Sequence, residues 1–212
     1  MKYKFANKIY GAFFYSVCIK GLKEKAMNTH KIKKEIFAEY KAIILRAKDI
    51  GPKNTLMSAY MMAAYFIAMN RVTGLTPDEN YALFEKGLAQ NKLFQYMLGD
   101  AKRYLNEKKW AGRKAWDEKT HRREYENDWV VTVIKGNGDF ELGYDYEECG
   151  VCELCRDENC FELAKYLCRL DFLMADIMGM KLERTKTIAD GQEICDFRYS
   201  YKKRNRCNVV KE

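Results

Sequence analysis

Proline and histidine are nearly missing from this chain, with two of each in 212 residues. So little proline, beside 48% hydrophobic residues, argues against disorder and for a helix-rich globular protein. Of the two histidines, His121 stands among arginines and glutamates and reads as a solvated side chain. Long apolar runs are lacking as well. The stretch Leu56 to Met69 has about 14 residues against the ~20 needed to span a bilayer, so it reads as a buried core helix. There is no convincing export signal: MKYKFANK precedes the apolar IYGAFFYSVCI, but no small-x-small cleavage site follows before GLKEK. The YSV before Cys18 is a poor lipidation match. A cytoplasmic protein with reduced thiols is therefore expected. No segment repeats at a fixed period, which excludes a solenoid. Charge of one sign is not concentrated either. The net +8 comes from 38 Lys and Arg against 30 Asp and Glu, dispersed except for KIKK near Lys31 and KKRNR from Lys202. Those runs read as solvated surface rather than a nucleic-acid site, with a residual attraction for a small anionic ligand.

The first half carries helical periodicity. Apolar residues recur at three- and four-residue spacing from Asn7 to Lys25 and from Lys31 to Lys48. Asp49-Ile50-Gly51-Pro52 stops the second of these helices, and Asn54 or Thr55 caps the next. Gly74 ends that one. Thr76-Pro77-Asp78-Glu79 then opens another, with a cap, a proline at the first helical position and acids in the first turn. Helical pattern continues from Asn91 to Leu105. Residues 106–127 read as a polar crossing segment with two aromatic anchors, Trp110 and Trp116. From Asp128 the period becomes two: DWVVTVIK and DFELGYDYE flank GNG, a hairpin signal. A helix from about Glu158 to Met178 follows, then a strand near Leu182 to Ala189, a turn at Asp190-Gly191 and a strand from Ile194 to Tyr201. This order predicts an α+β fold, with a helical N-terminal half packed on a C-terminal antiparallel sheet built as hairpin–helix–hairpin. One domain is expected, divided into a helical layer (1–105), the crossing segment (106–127) and an α+β part (128–205).

On the helix from Glu158, the side chains Glu162, Lys165, Arg169 and Asp176 share a narrow polar wedge. Asp171 lies far from it, among Leu167, Cys168, Met174, Ala175 and Met178. A carboxylate in such a stripe must be hydrogen-bonded, paired, protonated or used in chemistry. Two readings follow: an acid that caps a loop or pairs with an arginine such as Arg184, or a pocket carboxylate with a shifted pKa. Cys168, three residues earlier, projects from the same face. Cys195, Phe197, Tyr199 and Tyr201 share one face of the last strand, while Asp196 and Arg198 point the other way. The register of the last hairpin is open: a three-residue turn pairs Thr187 with Cys195, and a two-residue turn pairs Lys186 there.

The eight cysteines need not pair, because the spacings of two between Cys149, Cys152 and Cys155 are too tight for a disulfide framework in a domain this large. Cys149, Cys152, Cys155 and Cys160 approach a ferredoxin-type run but depart at the fourth spacing and lack its proline. A zinc site joins two separated pairs, and here only Cys195 with Cys207 offers a loose second pair. Incidental loop or core thiols are the plainer reading.

Three stretches, GYDYEECGVCEL, ELAKYLCRLDFLMADIMG and LERTKTIADGQEICDFRY, resemble the bacterial L-2-amino-thiazoline-4-carboxylic acid hydrolase family over roughly Trp129 to Tyr199. The family pattern has motif positions at Cys149, Cys168, Asp171, Thr187, Gly191, Cys195 and Asp196, whereas Cys152, Cys155 and Cys160 are additional here. A more distant similarity to 4-vinyl reductase-type ligand-binding domains implies a pocket between helices and sheet. The hydrolase resemblance implies attack of water on the carbon between ring nitrogen and sulfur of a cyclic isothiourea, giving N-carbamoyl-L-cysteine. Such chemistry needs a base, a donor to a ring heteroatom and a cation for the substrate carboxylate. The resemblance places Asp171 as base or proton shuttle, Cys195 or Cys168 as nucleophile or acid, and Thr187 as hydrogen-bond donor. Arg184 or Arg198 would anchor the carboxylate, and Cys149 and Asp196 complete the substrate-binding set.

A small anionic or zwitterionic substrate is the expected partner, without nucleic acid or membrane, and self-association is left open. No cofactor is firmly implied, although a divalent metal is compatible with the chemistry. The readings that compete with a hydrolase are a non-catalytic small-ligand sensor and a cysteine-rich metal-binding protein.

Overall fold

The computed structural model describes residues 1–51 and 54–202. Pro52, Cys207 and the basic run beyond Lys202 lie outside the described residues. The chain is mixed helix and sheet, with most helices in the N-terminal half and a four-stranded antiparallel sheet in the C-terminal part.

The helical layer forms around its most apolar segment. Helix α3 (Met57–Val72) is buried from Tyr60 through Met69, as its apolar run predicts, and α1 (Phe5–Glu24), α2 (Thr29–Arg46) and α4 (Pro77–Gln90) pack around it. The start of α4 is a capping box: the Thr76 hydroxyl accepts the Glu79 amide (3.3 Å) and the Glu79 carboxylate accepts the Thr76 amide (3.0 Å). Short helices α5 (Lys92–Leu98) and α6 (Ala101–Tyr104) lead away from the bundle.

The segment 106–127 is not merely a polar crossing, because it contains helix α7 (Trp110–Thr120). Its packing explains its polar residues. Strands β1 (Val130–Lys135), β2 (Leu142–Glu148), β3 (Met180–Glu183) and β4 (Cys195–Tyr201) run in the order β1-β2-β4-β3, so β1 is an edge. Two buried side chains of α7 close that edge. The Asp117 carboxylate accepts the Val133 amide at 2.9 Å, and the Thr120 hydroxyl accepts the Val131 amide at 3.1 Å. Unpaired edge groups are thereby removed from competition with other chains. Trp116 stands edge-on to Trp129 and Tyr144 and anchors the helix.

The first hairpin forms where the sequence predicts it, with Lys135 opposite Leu142. The expected helix from Glu158 to Met178 starts later than predicted, as α9 (Ala164–Ile177), and the cysteine run before it forms a helix of its own, α8 (Gly150–Asp157). Asn159, at φ +54°, separates them. The Cys160 amide returns to the Cys155 carbonyl and the Asn159 amide to that of Arg156 (both 2.9 Å), a Schellman closure that ends α8. The last hairpin also differs from expectation. β3 pairs with β4 only from Met180 opposite Tyr201 to Glu183 opposite Arg198, and residues 184–194 form an excursion between the strands. Asp196 holds that excursion. Its carboxylate accepts the amides of Thr185 (2.8 Å) and Lys186 (2.5 Å) and the Thr185 hydroxyl (2.5 Å), bonds that local alternation cannot reveal.

One sheet face, carrying Val133, Tyr144, Tyr146, Cys195, Phe197 and Tyr199, meets the helices; Thr132, Asp145, Glu147, Asp196 and Arg198 occupy the other. Removing both edge acceptors, as Asp117→Ala with Thr120→Val, should lower stability by about 2 kcal/mol. Urea unfolding would show this, and amide exchange should accelerate at Val131 and Val133 more than along the β2–β4 ladder. Unchanged exchange at those two amides would mean that the edge is closed by something else.

Candidate active site

Between the inner sheet face and the helices lies a cavity of about 400 Å³. Helix α9 presents Leu167, Cys168, Asp171 and Met174 to it, a single stripe at helical spacing. The sheet contributes Tyr146, Cys195, Phe197 and Tyr199. Aromatic and aliphatic side chains from α1, α3 and α5 form the opposite wall, including Phe13, Phe14, Ala59, Met62 and Phe94. Tyr104, Trp129 and Cys149 complete it.

Among the described residues, Asp171 is the only carboxylate in this lining. A quarter of its side-chain surface is accessible, and that surface opens into the cavity. Its Oδ2 accepts from Arg184 Nη1 at 2.8 Å. Arg184 is nearly buried, with its guanidinium 4.9 Å from the Phe172 ring centre and 5.0 Å from that of Phe197. Burial raises the Asp171 pKa to about 6, and the charge and hydrogen bond of Arg184 counter that only in part.

The thiols differ from one another for local reasons. The Cys195 sulfur accepts the Ile188 amide at 3.2 Å, yet burial pushes the thiol up to about 12. Cys149 occupies the N-cap position of α8. Its thiol is influenced first by the neighbouring Cys152 thiol, then by the amides of Cys152 and Val151 and the Trp129 side chain. Together they outweigh burial and hold the Cys149 thiol below its ordinary value. Cys152 is pushed correspondingly high. The residue after Cys149 must be glycine for this approach, because a Cβ at Gly150 would lie 2.1 Å from the Asn127 carbonyl oxygen and 2.4 Å from Leu56 Cδ2.

The geometry thus brings Cys149, Cys168, Asp171 and Cys195 to one cavity and leaves other expected site residues outside its lining. Thr187 caps the turn after it by accepting the Ala189 amide (3.0 Å), and its hydroxyl lies 4.0 Å from Cys168 on the outer side of α9. Asp196 serves the 184–194 excursion. Arg198 pairs with Asp145 at 2.7 Å on the far face of the sheet. Arg184 reaches the site only through Asp171. His121 bridges the Asp117 carbonyl and Glu147 away from the cavity. Residue-by-residue reading missed Trp129, Tyr146 and the α1 and α5 side chains. The alternating tyrosines of β2 were the available signal for Tyr146, whereas α1 and α5 carried none.

Among the described residues, no group of three or more His, Cys, Asp or Glu side chains is arranged to hold a metal ion. None of the described helices is long and apolar enough to cross a membrane.

A family model described as L-2-amino-thiazoline-4-carboxylic acid hydrolase matches residues 54–199, from the start of α3 into β4. The chain belongs to that family. Neither a curated protein nor a solved structure matches it. The hydrolase-family match contains Cys149, Cys168, Asp171 and Cys195, but the α1 wall of the cavity precedes it.

A raised carboxylate pKa has an unusual linkage. Folded protein binds more protons than unfolded protein between about pH 4 and 6, so this group's contribution is present at low pH and is lost as pH rises through about 6. The magnitude is roughly 3 kcal/mol. Carbon-detected NMR should find Asp171 titrating near pH 6, and Arg184→Met should move it higher. Titration near pH 4 would refute this account of its environment.

Proposed function

We propose that the protein opens a cyclic isothiourea or amidine by hydrolysis, with Cys149 as nucleophile and Asp171 as the proton-transferring group. The observation that carries this reading is that both line one cavity, the thiol at a helix N-terminus and the carboxyl beside a buried arginine. Membership of the hydrolase family supplies the reaction class.

In the first step the Cys149 thiolate attacks the ring carbon between nitrogen and sulfur, while protonated Asp171 gives its proton to the departing ring sulfur. A Cys149 S-linked isothiourea and a free substrate thiol result. In the second step Asp171, now a carboxylate, takes a proton from water as the water oxygen bonds to that carbon. Breaking the carbon–Sγ bond then restores the thiolate and leaves a urea. The net change is addition of one water, and with the family's named thiazoline the product is N-carbamoyl-L-cysteine. A carboxyl with a pKa near 6 suits both steps, because it is neither fully protonated nor a weak base near neutrality.

This reading moves the nucleophile from Cys195 or Cys168 to Cys149. The Cys195 sulfur is engaged by the Ile188 amide and carries no lowered pKa.

Release of substrate thiol from 2-amino-2-thiazoline-4-carboxylate and related rings tests the reading. Asp171→Asn should lower kcat by about 10²–10⁴-fold and remove a pH limb near 6. Cys149→Ser should lose turnover, and Cys195→Ala should stay within a few-fold of the parent. Full turnover by folded Asp171→Asn and Cys149→Ser proteins would sink the assignment.

A further inference from the structure

The cavity's chemistry bears on which ring compound it takes, an inference that rests on the hydrolytic reading of the same site. Among the described residues, no lysine, arginine or histidine lines the cavity. Arg184, the nearest cation identified, is committed to Asp171 and wedged between two phenyl rings. Arg198 is committed to Asp145 on the opposite sheet face. Among the described residues, a substrate carboxylate would therefore meet no uncommitted cation in this site. Desolvation without a compensating cation opposes that arrangement.

What the cavity does offer is aromatic surface. Tyr146 stands edge-on to Trp129 at 5.6 Å and to Phe197 at 5.2 Å, and Phe197 stacks on Tyr199 at 6.1 Å. Burial keeps the phenols of Tyr104, Tyr146 and Tyr199 neutral by raising them well above their ordinary value. Aromatic faces attract a delocalised cation such as an amidinium, and otherwise favour apolar groups. The volume of about 400 Å³ belongs with pockets that enclose larger ligands than a bare thiazoline acid. Apolar surface also continues outward: Met97 lines the cavity and is 57% exposed, with Leu93 and Tyr96 exposed on the same helix.

We infer that the ligand is a cyclic amidine or isothiourea bearing an apolar or aromatic substituent where the family's named substrate has its carboxylate. The ring's basic nitrogens would lie near Asp171 and the substituent against the α1, α3 and α5 wall.

Two probes decide this: 2-amino-4-phenyl-2-thiazoline and 2-amino-2-thiazoline-4-carboxylate, each followed by calorimetric binding and by thiol release with the full chain. The phenyl compound should bind at least tenfold more tightly, and Ala59→Phe, which narrows the α3 wall, should remove most of that preference. Equal or tighter binding of the carboxylate, or an unaltered preference in folded Ala59→Phe, would overturn the inference while leaving the hydrolytic reading intact. Tight binding of the phenyl compound with no turnover of either probe would uphold the ligand class and overturn hydrolysis. Binding of neither by the folded protein would overturn both.

Discussion

The site depends on one ion pair placed where ion pairs are expensive. Asp171 and Arg184 meet at 2.8 Å beside an aromatic cavity, with the arginine almost fully buried. An apolar pair of similar shape would cost less to bury, so the pair is weak evidence for stability and stronger evidence for specification. It ties α9 to the segment that follows β3. The guanidinium is planar and can lie between Phe172 and Phe197 while donating sideways, a geometry that a lysine ammonium could not reproduce. Its charge also sets the behaviour of Asp171. Without it, burial alone would drive the carboxyl further up; with it, the group rests near 6 and can exist in either protonation state.

The cysteines show how little residue type alone decides. Cys149, Cys152 and Cys155 stand at equal spacing in the chain, which invites a common role. Folding separates them. Cys149 occupies the N-cap position of α8 and faces the cavity, while Cys152 and Cys155 lie inside α8's buried face and their thiols are raised. A helix N-terminus stabilises negative charge at Cys149 and not one turn further on. The tight spacing is therefore a helical repeat of small buried side chains, with a chemically distinct first member.

Much of the architecture was legible wherever a local rule operates alone. The buried run of α3, the Thr76 capping box and the first hairpin each follow from periodicity or turn chemistry, and so does the anomaly at Asp171 with Arg184 as its partner. Legibility failed where long-range contacts override local pattern. The end of α8 depends on Asn159 adopting a left-handed conformation, which any prediction from apolar spacing would pass over. The 184–194 excursion looks like a continuing strand, but three bonds to Asp196 pull its backbone out of the ladder. Likewise α7 reads as a polar crossing because its buried acid and threonine serve strand β1, and their burial is visible only once β1 is in place.

On the proposed reading, the division of the cavity wall separates chemistry from selectivity. Cys149, Cys168, Asp171 and Cys195 lie within the family-matched residues, whereas Tyr10, Phe13 and Phe14 of α1 come before them. The α1 wall is held in place by the core it shares with α3 and α4: Phe14 packs 5.7 Å from Tyr65 and 5.8 Å from Phe84. A change in α1 can therefore reshape the substituent pocket without moving the carboxyl or the capped thiol, because those are fixed from the other side by Arg184 and by the close approach at Gly150. On the proposed reading, the reaction can stay constant in such a fold while the ring substituent varies with the apolar wall.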